Sequence, residues 1–293
     1  MAYHFRRNQS VPDNIRRIAR EEFNEAALHL RGRKPESNSE AVHEARKNLK
    51  KLRALLRLVK SELGSAYKLE ARALRDMGRR LSTLRDADAL FTALDQLKSK
   101  LPAKTMSAIR RGLEKHKKQV ESEAAFETLM PQLATDLGKA RLAVKDWPMK
   151  ADGFDAIASG LEEAYRAGRA AFRRAHKHSD RERWHEWRKR VKDYWYHVRL
   201  LENIWSEVMQ GEEASLKNLQ DTLGDDLTLD LLREHLLLTP KAYGTPAEVK
   251  RVVGAIEELR KAMRKQAVEA GKRIYGQKPG ALMTELRRLW EAW

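Results

Sequence analysis

The sequence predicts an all-α protein made of two helical bundles related by internal duplication. Apolar residues recur every three or four positions along most of the 293 residues, and no segment keeps the period-two alternation of a strand. Leu, Ala, Glu, Lys and Arg, which favour helices, predominate. A segment that begins with His43 and Glu44 returns 142 positions later, beginning with His185 and Glu186. A repeat of domain length indicates duplicated bundles of about four main helices each, not a solenoid of short repeats.

The predicted boundary between the bundles is the segment from Lys145 to Gly153, which contains Pro148 and interrupts the helical pattern. We therefore divide the chain into bundles over residues 1–146 and 147–293. Apolar residues ahead of the repeated segment match at the same spacing; the pairs are Phe23 with Tyr165 and Leu30 with Phe172.

Each copy of the repeated helix carries one continuous apolar face, as expected of a helix that packs into a bundle core. In the first copy this face follows Val42, Ala45, Leu49, Leu52, Leu56, Val59 and Leu63. In the second copy it follows Trp184, Trp187, Val191, Tyr194, Val198, Leu201 and Trp205. Upstream, Ser39 is the candidate N-cap of the first copy, and Ser179 or Asp180 is that of the second.

A stripe of cations lies about 100° round the helix from each apolar face. Its members are His43, Arg46, Lys47, Lys50, Arg53 and Arg57 in the first copy, and His185, Arg188, Lys189, Lys192 and Arg199 in the second. Like charges at these spacings repel by a few tenths of a kcal/mol per pair, and the stripe itself contains no acid. A solvated basic face explains one such stripe, but two in matched register predict a groove that holds a polyanion.

Other segments carry cations that we expect to extend this groove, with ordinary surface charge as the alternative. They are Arg72, Arg75 and Arg79 after the first motif, Arg166 and Arg169 before the second, and Lys272 with Arg273 near the C-terminus. Four acids follow the motifs: Asp86, Asp88, Asp225 and Asp226. Helix capping or pairing with Arg and Lys is preferred for them over binding of Mg²⁺.

The overall charge supports a polyanionic partner. The chain has 59 Lys and Arg against 42 Asp and Glu, a formal net charge of +17, while 42% hydrophobic residues suffice for a core. There is no cysteine, which excludes disulfides and thiol chemistry. The N-terminus lacks an apolar run of signal-peptide length, and no stretch approaches 18 apolar residues. We therefore expect a cytoplasmic protein with no membrane span.

The paired motifs, the histidine that opens each and the duplicated helical layout resemble the CHAD family, the conserved histidine α-helical domain. The resemblance extends from about Val11 to Trp293 and includes the segments Tyr165–Arg169, Leu223–Asp226 and Lys272–Pro279. It implies two four-helix bundles with pseudo-two-fold symmetry and a basic pore or groove between them that binds inorganic polyphosphate. The positions that match the family's pore-lining residues are His43, Arg46, Lys47, Lys50, His185, Arg188, Lys189 and Lys192.

Two departures from the family pattern are visible. Trp195 stands where the first copy has Arg53, so one edge of the groove is expected to be asymmetric. The segment from Arg85 to Asp88 is a looser version of the one after Leu223. The Glu-x-Glu-x-Lys strand of the triphosphate-tunnel domain, which accompanies some CHAD proteins, is not matched at residues 121–125, so a stand-alone CHAD protein is expected.

The function expected from these features is non-enzymatic binding of inorganic polyphosphate, without metal or cofactor, with a polyphosphate granule or a polyphosphate-metabolising enzyme as a further partner. Polyphosphate offers repeated oxygen acceptors, which many Arg and Lys donors along a track suit. Charged histidines would add to this, so binding should strengthen as pH falls from about 8 to 6. A histidine satisfied by a neighbouring helix is the alternative for each.

Three other functions are alternatives to polyphosphate binding. A nucleic-acid binder fits the charge, but only 7% of residues are aromatic and no helix-turn-helix or zinc-finger spacing is present. An enzyme acting on phosphoanhydrides lacks a signature: the Gly271–Gln277 segment misses the lysine and hydroxyl of a phosphate loop, and His-Glu-x-x-His is missing. A coat on an anionic granule remains compatible with polyphosphate binding, whereas a membrane-lying helix is not evident.

Overall fold

The computed structural model describes residues 3–32, 37–82, 86–120, 123–178 and 180–293, and in that part of the chain it contains α-helices and short 3-10 turns but no strand. The first seven helices are α1 (Val11–Leu30), α2 (Asn38–Leu58), α3 (Lys60–Leu63), α4 (Ser65–Ser82), α5 (Asp86–Asp95), α6 (Ala103–Val120) and α7 (Glu123–Ala143). The remaining helices are α8 (Asp155–Lys177), α9 (Arg181–Leu200), α10 (Ser206–Leu238), α11 (Pro246–Ile274) and α12 (Pro279–Ala292). The predicted all-α class is confirmed.

The two helices that carry the repeated motif begin at side-chain caps. Ser37 caps α2 and forms a capping box with Glu40, each satisfying a backbone N–H of the other. The prediction of Ser39 as this cap was wrong, because α2 already begins at Asn38 and Ser39 lies inside its first turn. Asp180 caps α9 by accepting from the backbone N–H of Arg183 at 3.1 Å, which confirms one of the two predicted candidates. The other, Ser179, lies outside the described residues.

The apolar faces of α2 and α9 are buried as predicted, with one exception. All seven positions of the first copy and six of the second are buried. Trp205 is 49% exposed, because α9 ends at Leu200 and a 3-10 turn over Glu202–Ile204 carries the chain off the helical seam. The periodicity alone does not locate the end of the buried face, since Val59 and Leu63 stay buried beyond the end of α2.

The buried hydrophobic residues form two clusters that do not coincide with the two predicted bundles. The larger cluster contains residues of the first four helices, of α7, α8, α9 and α12, of the first half of α10 and of the second half of α11. The smaller joins α5 and α6 to the second half of α10 and the first half of α11. The helical pattern does break between Ala143 and Asp155, near the predicted boundary. Helices from both sides of that break share each cluster, and the division at residues 146 and 147 stays a prediction.

A buried ionic layer separates the two clusters along α10 and α11. Asp226 and Asp230 are buried on α10, close to where the larger cluster ends at Leu223 and the smaller begins at Leu229. Arg260 donates to Asp226 at 3.0 Å and also pairs with Asp230. Arg264 donates from Nε and Nη2 to the two carboxylate oxygens of Asp226 at 3.1 Å each. The predicted pairing of Asp226 with cations is confirmed.

Two contacts fix α2 against the helices of the second half. A Cβ at Gly160 of α8 would lie 2.0 Å from the carbonyl oxygen of Leu58, so only glycine allows α8 to cross the end of α2 at this distance. In addition, the buried His197 of α9 lies with Nε2 2.8 Å from the carbonyl oxygen of Ala54. These contacts bring the two copies of the motif side by side.

Candidate functional site

The packing of α2 against α9 places both copies of the motif on one cavity of about 340 Å³. Eight cations line it: Arg46, Lys50, Arg53 and Arg57 from α2, and Arg188, Lys189, Arg190 and Lys192 from α9. His185, Tyr196 and a single carboxylate, Asp193, complete the described lining. Within each helix, periodicity aligns these cations, since residues three and four apart share a face.

Two further basic depressions adjoin this cavity and share residues with it. One, of about 270 Å³, lies between α2 and α4, where Arg75 and Arg79 join Arg46, Lys50 and Arg53. The other, of about 710 Å³, lies at the start of α9; its lining includes Arg174, Arg181 and Arg183 together with His185 and Lys189. The three depressions form a continuous basic surface across α4, α2 and α9.

Acids pair with some of the cations, which the sequence analysis did not anticipate. Glu44 lies 2.8 Å from Lys47, and the matching Glu186 lies 2.6 Å from Lys189 and from Arg190. The stripe itself contains no acid, as predicted, but on each helix a glutamate beside the stripe reaches a stripe lysine three positions along the chain. The one carboxylate in the cavity, Asp193, accepts from Arg57 at 2.7 Å.

Arg188 and Lys192 lie one helical turn apart on α9 and line the cavity. Among the described residues, neither makes a salt bridge within 4.0 Å. Burial lowers the pKa of Arg188, and the charges of Asp225 and Asp221 partly offset that effect. Burial and the charge of Arg188 lower the pKa of Lys192 to about 8. Cations that are desolvated without an adjacent counter-ion are ready to accept an anion.

The two motif histidines occupy different surroundings. His185 lines the cavity, and burial followed by the charges of Lys189 and Arg188 lowers its pKa. His43 is outside the described lining, and its Nε2 lies 3.9 Å from Glu44. The predicted charging of His185 therefore requires a pH below its ordinary value of 6.5 when no ligand is bound.

Several predicted site residues do not line any of the three basic depressions: His43, Lys47, Arg72, Arg166, Arg169, Arg199, Lys272 and Arg273. Arg166 pairs with Glu162 and Lys272 pairs with Glu269, both on exposed faces. The Arg199 guanidinium lies over the rings of Tyr3 and Trp195. These residues therefore do not extend the described lining of the groove.

Arg169 belongs to a structural junction. Its Nε donates to the carbonyl oxygen of Tyr275 at 3.0 Å. The hydroxyl of Tyr165 donates to the carbonyl oxygens of Ile274 and Gln277 at 3.1 and 3.0 Å. Two segments that the sequence analysis singled out, Tyr165–Arg169 and Lys272–Pro279, thus meet and tie α8 to the end of α11. Their arrangement explains both motifs without a ligand.

The sequence analysis missed four cations that line the basic surface: Arg174, Arg181, Arg183 and Arg190. Arg190 corresponds to Asn48 in the first copy, so a search for matched cations passes over it. The other three lie just outside the repeated segment, and the density of arginines around His185 is the signal that would have found them.

The remaining predicted acids show no metal site. Asp225 interacts with Gln96 and with the charge of Arg188, and burial raises its pKa. The side chains of Asp86 and Asp88 lie outside the described residues. Within the described part of the chain, no three His, Asp or Glu residues are grouped in a way that could hold a metal ion.

Comparison with known proteins identifies relatives. The family model of the CHAD domain matches residues 17–237. The chain is similar to the crystal structure of the CHAD domain from the plant Ricinus communis, with a TM-score of 0.67, 17% sequence identity, and coverage of 95% of this chain and 96% of that chain. No curated protein matches the sequence. Among the described helices, none is both long and apolar enough to span a bilayer.

Proposed function

The chain belongs to the CHAD family, a family linked to polyphosphate binding, and on that premise we propose that the cavity between α2 and α9 binds inorganic polyphosphate. One observation carries the proposal. Both copies of the motif contribute to a single cavity whose described lining has eight Arg and Lys side chains and one carboxylate. That carboxylate, Asp193, is already paired with Arg57, so the cavity attracts anions strongly.

The chemistry of the lining suits a chain of phosphates. Arginine presents two parallel N–H groups to a phosphate, and lysine adds a mobile point charge. Each charge-assisted hydrogen bond contributes about 1.5–3 kcal/mol net, so a few of them in a confined cavity suffice for tight binding. The adjoining basic depressions, which share Lys50 and Lys189 with the cavity, provide a path for a ligand longer than the cavity itself.

We propose that binding leaves the phosphoanhydride bonds intact. Hydrolysis needs a base that activates water, and the described carboxylate of the cavity is held by Arg57 and lies 3.8 Å from Arg190. Incubation of polyphosphate with the protein and Mg²⁺ or Mn²⁺, followed by analysis of chain length, tests this point. Shortening of the polymer that is lost in an Asp193→Asn variant would contradict it.

A polyphosphate granule presents the same repeated anion as the free polymer. We therefore propose that the protein associates with such granules, or with an enzyme that makes or consumes polyphosphate, through this cavity. A fluorescent fusion should co-localise with polyphosphate granules in cells that form them, and the distribution should become diffuse when the cavity lysines are removed.

The test of the binding function is titration calorimetry with long-chain polyphosphate at about 150 mM salt. Wild type is compared with Lys50→Ala/Lys192→Ala, in the cavity, and with Lys272→Ala/Arg273→Ala, on the exposed surface of α11. Both double variants lose two positive charges. We expect a large loss of affinity only in the cavity variant. Equal losses in both variants would contradict a localised site.

RNA of matched charge serves as the competitor in the same titration. Aromatic residues that could stack on bases are largely unavailable, since Trp147, Trp184, Trp187 and Tyr196 are buried. We expect RNA to displace polyphosphate weakly at equal charge concentration. Equal displacement would favour a nucleic-acid ligand.

A further inference from the structure

Arg188 lies directly against the backbone of a neighbouring helix at Gly224. A Cβ added to Gly224 would lie 3.0 Å from Nη2, 3.1 Å from Nε and 3.4 Å from Cζ of Arg188. These distances are shorter than a side-chain Cβ normally tolerates, so any other residue displaces the guanidinium by a few tenths of an ångström. The absence of a Cβ at Gly224 thus leaves the space in which the Nε–Nη2 edge of the guanidinium lies against α10.

Part of the hydrogen-bonding capacity of this guanidinium is unused within the described part of the chain. The Nε atom of Arg188 is buried and has no hydrogen-bond partner among the described residues. No described carboxylate lies within salt-bridge distance, although Asp221 and Asp225 on α10 influence the residue through their charges. Three other cavity cations differ, since Arg57, Lys189 and Arg190 each have a carboxylate partner. A planar donor group that is held in place without an acceptor suits a phosphate ligand.

We propose that Gly224 is a positioning residue for ligand binding, because it leaves the space in which the guanidinium of Arg188, a cavity-lining residue, lies beside α10. This inference rests on the proposed function, since it assigns the role of one residue within the same site. It also gives a reason for the glycine in the Leu223–Asp226 segment, which the repeated cationic stripe does not explain.

A purely structural role is the competing explanation. Gly224 lies inside α10, and a glycine there also permits close packing of α9 on α10. The two roles differ in one respect. If Gly224 acts through the guanidinium, its replacement matters for binding only while Arg188 is present.

The experiment measures polyphosphate affinity in Gly224→Ala and in Gly211→Ala. Both glycines lie in α10, but a Cβ at Gly211 meets nothing within 4 Å, so this variant reproduces the gain in helix propensity alone. We expect Gly211→Ala to bind as wild type does. We expect Gly224→Ala to bind about three- to tenfold more weakly, as the misplacement of one bidentate phosphate contact would produce.

The same substitution is then made in an Arg188→Ala background. We expect Gly224→Ala to cause no further loss there. The inference is overturned if Gly224→Ala binds as tightly as wild type, or if it weakens binding equally in both backgrounds. Failure of wild type itself to bind polyphosphate would instead remove the proposed function.

A measurement on the wild-type protein keeps the inference testable if Gly224→Ala does not fold. The Nε–H resonance of Arg188, assigned by its loss in Arg188→Lys, is followed by NMR as polyphosphate is added. We expect it to shift with the same midpoint as the calorimetric titration. An unchanged resonance at saturation would show that the ligand does not alter the surroundings of this guanidinium, and it would contradict the inference.

Discussion

Lys192 is a buried lysine within a group of cations, and its ionisation links ligand binding to pH. Burial and the nearby Arg188 lower its pKa to about 8, so part of the population is neutral near neutral pH. A bound polyanion favours the charged form and raises this pKa. Binding therefore takes up protons around pH 8. The sequence analysis assigned pH dependence to the histidines, but the pKa of His185 is lowered, which places its contribution below pH 6.5.

We predict that polyphosphate affinity falls between pH 7 and pH 9 in wild type and falls less in Lys192→Arg. The pKa of arginine is too high for deprotonation in this range, so the variant keeps its charge. Titration calorimetry at pH 7, 8 and 9, in buffers of matched ionic strength, measures the effect. Identical pH profiles for the two proteins would show that Lys192 does not take up the proton.

The same lysine should reduce the stability of the ligand-free protein. Its folded pKa, about 8, lies below the ordinary value of 10.5, so the unfolded chain binds more protons between these two pH values. The stability penalty is present in full below pH 8 and disappears as pH rises towards 10.5. Lys192→Met should therefore stabilise the free protein at pH 7 while weakening polyphosphate binding. This opposition between stability and function is characteristic of a preorganised site.

At the scale of helices, the site depends on how α2 and α9 are held together. The described cross-links are the ion pair between Arg57 and Asp193, at 2.7 Å, and the contact of His197 with the carbonyl oxygen of Ala54, at 2.8 Å. His197 is fully buried, and burial lowers its pKa to about 4. It is therefore neutral at pH 7, in the tautomer that donates from Nε2 to the carbonyl.

We predict that His197 makes the fold sensitive to acid. Because its folded pKa lies below the unfolded value of 6.5, stability is lost as pH falls from 6.5 towards 4, by about 2–3 kcal/mol at pH 4.5. His197→Gln retains an amide donor but does not titrate, so it should lose less stability over this range. Urea unfolding at pH 7, 5.5 and 4.5 compares the two. Equal losses in wild type and variant would contradict this role.

Periodicity predicted what lies along each helix and did not predict where the helix ends. The buried seams of α2 and α9 and their cationic stripes follow from spacings of three and four. The exposure of Trp205 and the Ser37 cap depend on helix ends, which hydrophobic pattern does not determine. The pairing of Glu186 with Lys189 depends on side-chain reach, which a stripe drawn on a helical wheel omits.

At the scale of the whole molecule, two hydrophobic clusters meet at an ionic layer. Asp226 is 1% exposed and receives hydrogen bonds from both Arg260 and Arg264. Contacts of α5 and α6 with α10 and α11 join distant parts of the sequence. No local pattern encodes them, so the sequence analysis could assign these helices only to the first bundle. The ion pairs of this layer connect the two clusters at the level of α10 where hydrophobic packing is not continuous.

We predict that Asp226→Ala destabilises the protein by about 3–5 kcal/mol, because it leaves two partly buried guanidinium groups without their carboxylate. Asp155→Ala is the control; it removes an exposed partner of Arg287 and should cost less than about 1 kcal/mol. Urea unfolding followed by circular dichroism measures both. An equally small decrease in the free energy of unfolding in both variants would mean that the layer does not couple the clusters.

The central claim is that the two copies of the motif form one polyanion site. The salt dependence of polyphosphate affinity tests it most directly, with calorimetric titrations from about 50 to 300 mM salt. Wild type is compared with Lys50→Ala from the first copy, Lys192→Ala from the second, and Lys272→Ala outside the cavity. We predict one polymer site per protein, and a slope of log affinity against log salt that falls by about one for each cavity variant and stays unchanged for Lys272→Ala. Equal slopes for all four proteins would contradict a shared site. A smaller slope in only one of the two cavity variants would contradict it as well.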